Sequence, residues 1–365
     1  MKSSMIDARG ILLVGAALVC ARQLRAATPA ATIVPTTPPP ALHATPTVSV
    51  LVAAWNEAAG IDAHIASFCA LGYPQIELVV CAGGHDATYA RAMSWAGDRV
   101  RVVIQQPGEG KQAALARAYL VARGEILVLT DADCRFDETA LRWLLAPIIN
   151  EGEQITTGGS RPFATQIDAP LVRYAWAADM VAAARAGRYV TGILGRNAAL
   201  TRAAIARIGG LGFTATTGTD YQLAKRLLAA GLAIRHVPQS IIVSCYPAAL
   251  GAYRARRSRW LRNVVLYGPH FGAHNEARQA LLTMTIGALM TLVPFAGARA
   301  RALWVVLLLH TCLARLGYLR ASERAGAPAV PAWLRAAAPL VAIIDFAVWG
   351  AALVDLLRPN TRRRW

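Results

Sequence analysis

The sequence predicts an α/β protein with a mostly parallel, doubly wound sheet, followed by membrane-embedded helices. Three observations carry this. From Val48 onward apolar strand-like runs alternate with helical stretches, the pattern of parallel pairing. The run Ile126–Leu129 ends in Asp131-Ala132-Asp133, two carboxylates at the end of a buried strand. After Leu281 come apolar stretches in a chain with net charge +17, although only 16% of its residues are charged and 55% are apolar.

In chain order, residues 1–26 hold a short apolar run, Ile11–Cys20, between Arg9 and Arg22. It falls short of the roughly 20 residues that a span needs and reads as an anchor or an interfacial segment. Residues 27–47 are rich in Pro, Ala and Thr around Pro38-Pro39-Pro40 and form an extended linker. Residues 48–262 form the α/β domain. Strands are expected at Val48–Ala53, Ile76–Val80, Val100–Ile104 and Ile126–Leu129. Helices are expected at Ile61–Leu71, Ala87–Trp95, Lys111–Ala122 and Tyr221–Ala230.

Residues 263–280 read as an interfacial segment and residues 281–357 as membrane helices. The apolar stretches in the latter are Leu281–Ala296, Ala302–Leu316 and Ala336–Leu357. The first two are short and are separated by Gly297-Ala298-Arg299-Ala300-Arg301. They form either a hairpin of two spans or one span plus an interfacial helix. The tail, 358–365, carries Arg362-Arg363-Arg364 and prefers the cytoplasmic side. A domain on that same side requires an even number of crossings, whereas three crossings would separate it from the tail. Asp345 and Asp355 fall within the last stretch, where a carboxylate is costly enough to mark a function or a bundle-facing position; Asp355, near its end, reads as interfacial.

The basic charge is almost all Arg, with Lys2, Lys111 and Lys225 the exceptions, and it clusters beside apolar segments. That suits anionic lipid rather than nucleic acid, for which no module is present. Cys20, Cys69, Cys81, Cys134, Cys245 and Cys312 are scattered with no C-x-x-C pair, which suggests no zinc site and fits a reducing compartment.

Asp131 and Asp133 place oxygen ligands where α/β sheets bind ligands, outside the carboxyl ends of the strands. Such ligands suit Mg²⁺ or Mn²⁺ shared with a substrate's phosphates. Other motifs follow the same order of strands. Val50 to Glu57 is a strand ending in Trp55-Asn56-Glu57. Val80-Cys81-Ala82-Gly83-Gly84-His85-Asp86 is the turn that follows the second strand. Pro107-Gly108-Glu109-Gly110-Lys111-Gln112 fails as a P-loop, because Gln105 and Gln112 stand where that loop needs Gly and Ser/Thr. Thr217-Gly218-Thr219-Asp220 opens a helix, and Arg256-Arg257-Ser258-Arg259-Trp260 precedes the membrane stretches. Asn56, Asp86 and Asp220 each also fit a plain helix N-cap.

Taken together, these motifs resemble a family 2 glycosyltransferase of the GT-A (Rossmann-like) fold. Within it the chain is similar to the membrane-integrated synthases, such as cellulose and hyaluronan synthases and ceramide glucosyltransferase. The resemblance implies a catalytic base at Asp220 and a metal held by Asp133 and Asp131. It implies donor contacts from Glu57, Asp86, Lys111, Asp131, Arg259 and Trp260, with Arg259 gripping diphosphate as a planar fork and Trp260 offering a face to a sugar ring. Gly192, Arg196, Asn197 and Thr219 resemble the acceptor side. The family usually carries Asp residues where this chain has Cys81 and Ala82, which leaves base recognition to Asp86 or to backbone groups.

The expected activity is inverting transfer from a nucleotide diphosphate sugar, by resemblance a uridine diphosphate sugar, to a lipid-linked or polysaccharide acceptor. The expected place is the inner membrane, with several crossings and a cytoplasmic catalytic domain. The missing Asp residues at Cys81 and Ala82 keep a second expectation open: an impaired relative that binds nucleotide sugar or scaffolds a synthase complex.

Overall fold

The computed structural model describes residues 38–358 except Thr216 and residues 296–297. The N-terminal apolar segment, linker residues 27–37, Gly297 and the Arg362-Arg363-Arg364 tail lie outside the described residues. The chain divides into two compact units. A sheet unit holds residues 33–164 and 186–246, and a helical unit holds residues 165–185 and 247–362.

In the sheet unit the strands are β1 (Val48–Trp55), β2 (Ile76–Gly83), β3 (Val100–Ile104), β4 (Ile126–Asp131), β5 (Cys134–Arg135), β6 (Ile155–Pro162), β7 (Tyr189–Val190), β8 (Ala198–Thr201) and β9 (Ile234–Ser244). Among the described residues they form one sheet in the order β3-β2-β1-β4-β8-β6-β9-β5, with β7 on β9. β1 to β4 are parallel, as expected. Past β4 the sheet becomes mixed: β8 runs antiparallel to both β4 and β6, while β6 and β9 are parallel.

The helices of this unit are α1 (Ile61–Cys69), α2 (Thr88–Met93), α3 (Gly110–Val121), α4 (Glu138–Glu151), α6 (Arg202–Arg207) and α7 (Thr219–Ala229). The period-2 alternation of β1 sorts the core into two layers. Val48, Val50 and Val52 pack with Ile61, Ile65 and Phe68 of α1 and Leu141, Leu144 and Leu145 of α4. Leu51 packs with Leu115 of α3 and Leu223 and Leu227 of α7. Burial on both faces explains why these strands read as continuous apolar runs.

The helical unit holds α5 (Pro170–Arg185), α8 (Leu250–Tyr267), α9 (His274–Leu292), α10 (Ala298–Arg324), α11 (Ala332–Ala336) and α12 (Ala338–Leu357). The helix bearing Arg259 and Trp260 therefore groups with the apolar helices, whereas the sequence reading put it with the sheet. Two helices among the described residues are long and apolar enough to cross a membrane, Trp304–Arg324 and Ala338–Leu357. The stretch that begins at Leu281 lies in α9 and the short helical turn Val293–Phe295, and is not one of them. At Gly287 of α9 an added Cβ would lie 2.6 Å from the Gly350 backbone nitrogen of α12, so these two helices meet backbone to backbone.

Candidate active site

Because β1, β2 and β4 are parallel, their carboxyl ends share one rim. Three loops leave it: Asn56–Gly60 after β1, Gly84–Ala87 after β2, and Ala132–Asp133 after β4. β8 runs the other way, with Ala198 opposite Leu129, so the residues just before it, Gly195 to Asn197, return to the rim beside Asp131. The first two loops are tied together. The Asn56 carboxamide accepts from the His85 amide at 2.7 Å, and Asn56 itself sits in the left-handed region at φ 58°. Asp86 accepts from the Ala58 amide at 3.1 Å and from the Thr88 amide and hydroxyl at 3.0 and 2.5 Å. The Thr88 oxygen in turn accepts from the Glu57 amide at 2.7 Å.

These bonds correct the capping expectations. The N-caps of α1, α2 and α7 are Gly60, Ala87 and Gly218, none with a side-chain cap bond. Asn56 and Asp86 brace two loops against each other instead. Asp220 lies in the first turn of α7, after Gly218 in the left-handed region at φ 67°, and its carboxylate is aimed elsewhere.

That target is Lys111, from the first turn of α3. Its ammonium donates to Asp131 at 2.6 Å and lies 3.7 Å from Asp220. Burial works against the Lys111 charge, but Asp131 and Asp220 outweigh it and hold its pKa above the ordinary value. The Thr219 hydroxyl donates to Asp220 at 3.1 Å. Gly195 faces the Asp220 carboxyl so closely that a Cβ there would overlap it. Gly195 falls inside the stretch Gly192 to Asn197 that the sequence likens to the acceptor side; at Gly192, in contrast, an added Cβ would meet nothing within 4 Å.

Glu57 is pushed up to about 7, first by burial and then by the charges of Asp133, Asp131 and Asp86. Carboxylates of one sign therefore crowd this rim. Asp133 accepts a weak bond from the Cys134 thiol at 3.3 Å, and burial holds that thiol well above its usual pKa. Behind the rim His64 is buried, bonded through Nδ1 to the Cys134 carbonyl at 2.8 Å, and lowered to about 4 by burial, so it is a neutral core group.

On the β8 side Arg196 is buried, with its guanidinium 5.3 Å from the Tyr246 ring centre. Asn197 has no exposed surface. Its amide donates to the Gly159 and Ser240 carbonyls at 2.8 and 3.0 Å, so it holds β6 and β9 together beneath the rim. Cys81 and Ala82 also have no exposed surface and lie inside β2, so the carboxylate of the turn after that strand is Asp86. Arg259 and Trp260 lie on α8 in the helical unit, where Trp260 is 58% exposed.

The donor set fits a divalent cation shared with a ligand. Among the described residues no group of three or more His, Cys, Asp or Glu is arranged to hold a metal alone. Mg²⁺ and its like commonly take one or two carboxylates and complete their shell with substrate phosphates and water. Asp133 and Asp131 supply that number, and after burial their charges contribute to raising Glu57.

Comparisons agree with this geometry. The model of glycosyl transferase family 21 matches residues 10–356. A probable glycosyltransferase of Bacillus subtilis (strain 168), YdaM, is 27% identical over 60% of this chain; the chain spans about half, 55%, of that relative's length. The structure of the mannosyltransferase PcManGT from Pyrobaculum calidifontis, in complex with GDP-Man and Mn²⁺, is 22% identical with a TM-score of 0.56, covering 96% of this chain and 97% of that one. A glucosyl-3-phosphoglycerate synthase from Mycobacterium tuberculosis, in complex with Mn²⁺, UDP and phosphoglyceric acid, is 22% identical with a TM-score of 0.43, covering 62% of this chain and 79% of that one. The GT-A fold read from the sequence is thus the observed one. The chain belongs to glycosyl transferase family 21.

Proposed function

We propose that this protein is a membrane-bound inverting glycosyltransferase that moves a sugar from a nucleotide diphosphate sugar to a lipid-linked acceptor at the cytoplasmic membrane face. The observation that carries this is Lys111 bridging Asp131 and Asp220, which brings the Asp-x-Asp strand end and the expected base to one place.

Asp220 takes the proton from the acceptor hydroxyl as it attacks the anomeric carbon. Gly195 leaves the space its carboxylate needs, and Thr219 fixes one of its oxygens. Lys111 holds positive charge beside Asp131 where diphosphate develops charge on leaving. Asp86 and Asn56 keep the two nucleotide-side loops in register, with Glu57 between them. Asp133 and Asp131 would hold Mg²⁺ or Mn²⁺, which would supply positive charge to the leaving diphosphate. Arg259 and Trp260 act on the donor, as the resemblance implies. Arg196 and Thr219 belong to the acceptor side, and Gly192 adds an unobstructed backbone there.

Two candidate spans, Trp304–Arg324 and Ala338–Leu357, would make the even number of crossings that a cytoplasmic catalytic domain and the positive-inside rule together require. The apolar stretch of α9 is then an interfacial helix beside them. The second reading, an impaired relative that binds nucleotide sugar or scaffolds a synthase complex, rests on Cys81 and Ala82 standing where the family carries Asp, and it predicts no turnover. The test is to incubate purified protein in lipid with a panel of nucleotide sugars and Mn²⁺ and to measure nucleotide release and transfer. No cation-dependent turnover of any donor would overturn the reading.

A further inference from the structure

The helical unit contains a polar network that the reaction scheme does not use. Asp345 is 1% exposed and lies inside a candidate span. Its Oδ2 is ion-paired with Arg315 of α10, and its Oδ1 accepts from the Tyr253 hydroxyl of α8 at 2.6 Å. Ten residues further along α12, Asp355 accepts from the Ser258 hydroxyl at 2.9 Å and lies 3.4 Å from Arg254, both on α8. Burial opposes the Arg257 charge, but the Tyr253 ring and hydroxyl, Asp179 of α5 and Asp345 outweigh it and raise its pKa. Two arginines and two aspartates, joined through Tyr253, thus link α5, α8, α10 and α12.

This placement has a geometric consequence. At about 100° per residue, Tyr253 and Ser258 lie roughly 140° apart around α8, and Arg259 lies roughly 120° from the first and 100° from the second. Tyr253 and Ser258 are both buried, so two separate sectors of α8 are held. Two anchors at different heights on one partner helix fix both the rotation and the axial position of α8. A single hydrophobic face would fix neither as closely, because apolar contacts are not directional.

Resting on the donor-side role given above to Arg259, we propose that Tyr253 and Asp345, with Arg315 compensating the charge, are positioning residues that set the direction of Arg259. The span lends its acid to aim a helix that binds the leaving diphosphate. The cost of a carboxylate at membrane depth is thereby met by function as well as packing.

The test is a double-mutant cycle on the full chain in lipid, with the donor that proves active. Tyr253→Phe removes one hydroxyl and leaves the Asp345–Arg315 pair intact. It is expected to lower kcat about tenfold with little change in thermal unfolding. On an Arg259→Ala background the same change is expected to add less than about twofold, because the residue it acts through is gone. Ser258→Ala is expected to behave alike and serves if Tyr253→Phe folds poorly. Asp345→Asn with Arg315→Gln keeps an acceptor for Tyr253 and removes both charges, and is expected to recover most of the kcat lost in Asp345→Asn alone. Equal losses in both backgrounds, or an unchanged kcat in Tyr253→Phe and Ser258→Ala, would overturn the inference. Wild-type turnover in Arg259→Ala would instead overturn the donor-side role itself, and this inference with it.

Discussion

The two units treat the same side chain in opposite ways. In the helical unit Asp345 and Asp355 are each met by a positive charge and a hydroxyl, Arg315 and Tyr253 in one case and Arg254 and Ser258 in the other. At the rim of the sheet unit one cation, Lys111, is shared by Asp131 and Asp220. Glu57 there is raised to about 7, first by burial and then by the charges of Asp133, Asp131 and Asp86. One partner for each carboxylate suits a helix contact, and a surplus of like charge suits a place for a cation.

Several substitutions would break or sharpen this contrast. The largest effect on activity is expected at the rim: Asp133→Ala should lower transfer by about a hundredfold or more while leaving thermal stability equal or higher, since it removes repulsion. Transfer assays beside a thermal melt check both halves. In the helical unit the order reverses. Asp345→Ala strands Arg315 and should cost about 3–5 kcal/mol of folding stability, measured by thermal or denaturant unfolding in lipid.

A finer test compares two glycines. Gly195→Ala pushes on the Asp220 carboxyl and should lower kcat about tenfold or more, whereas Gly192→Ala, with open space around it, should lower it less.

The smallest effect is a pH dependence. Because Glu57 in the fold titrates near 7, above its ordinary 4.5, the folded form binds the extra proton between these values. Stability from this group is present below the ordinary value and falls as pH rises toward 7. Glu57→Gln should therefore melt higher than the parent at pH 8 and equal to it near pH 4. Added Mn²⁺ should shrink the difference. Melting curves across pH, with and without Mn²⁺, measure this.

Much of the sheet unit was legible in the sequence, for a physical reason. Parallel strands buried on both faces give unbroken apolar runs, so β1 to β4 appear within a few residues of their observed ends. The mixed part beyond β4 is built from strands such as β6, interrupted by Thr156, Thr157, Gly158 and Gly159, and the four-residue β8, which carry no comparable run. Asp131, Asp220 and Lys111 could be found because their motifs are local. Gly195 was legible only as part of the stretch Gly192 to Asn197; its role beside Asp220 was not, because it needs no unusual φ and its demand comes from a carboxylate 25 residues downstream. The second apolar stretch was read as ending at Leu316, since Arg320, Glu323 and Arg324 follow. The candidate span runs to Arg324 and accommodates Arg315 by pairing it with Asp345, a contact 30 residues away in sequence.

The most direct measurement is sugar transfer by purified wild-type protein and by Asp220→Asn, in lipid, with Mn²⁺ or with a chelator. The account predicts transfer by the wild type that the chelator abolishes, and a loss of about 10²–10⁴ in kcat for Asp220→Asn with an unchanged melting temperature. An Asp220→Asn protein that transfers sugar at the wild-type rate would contradict it.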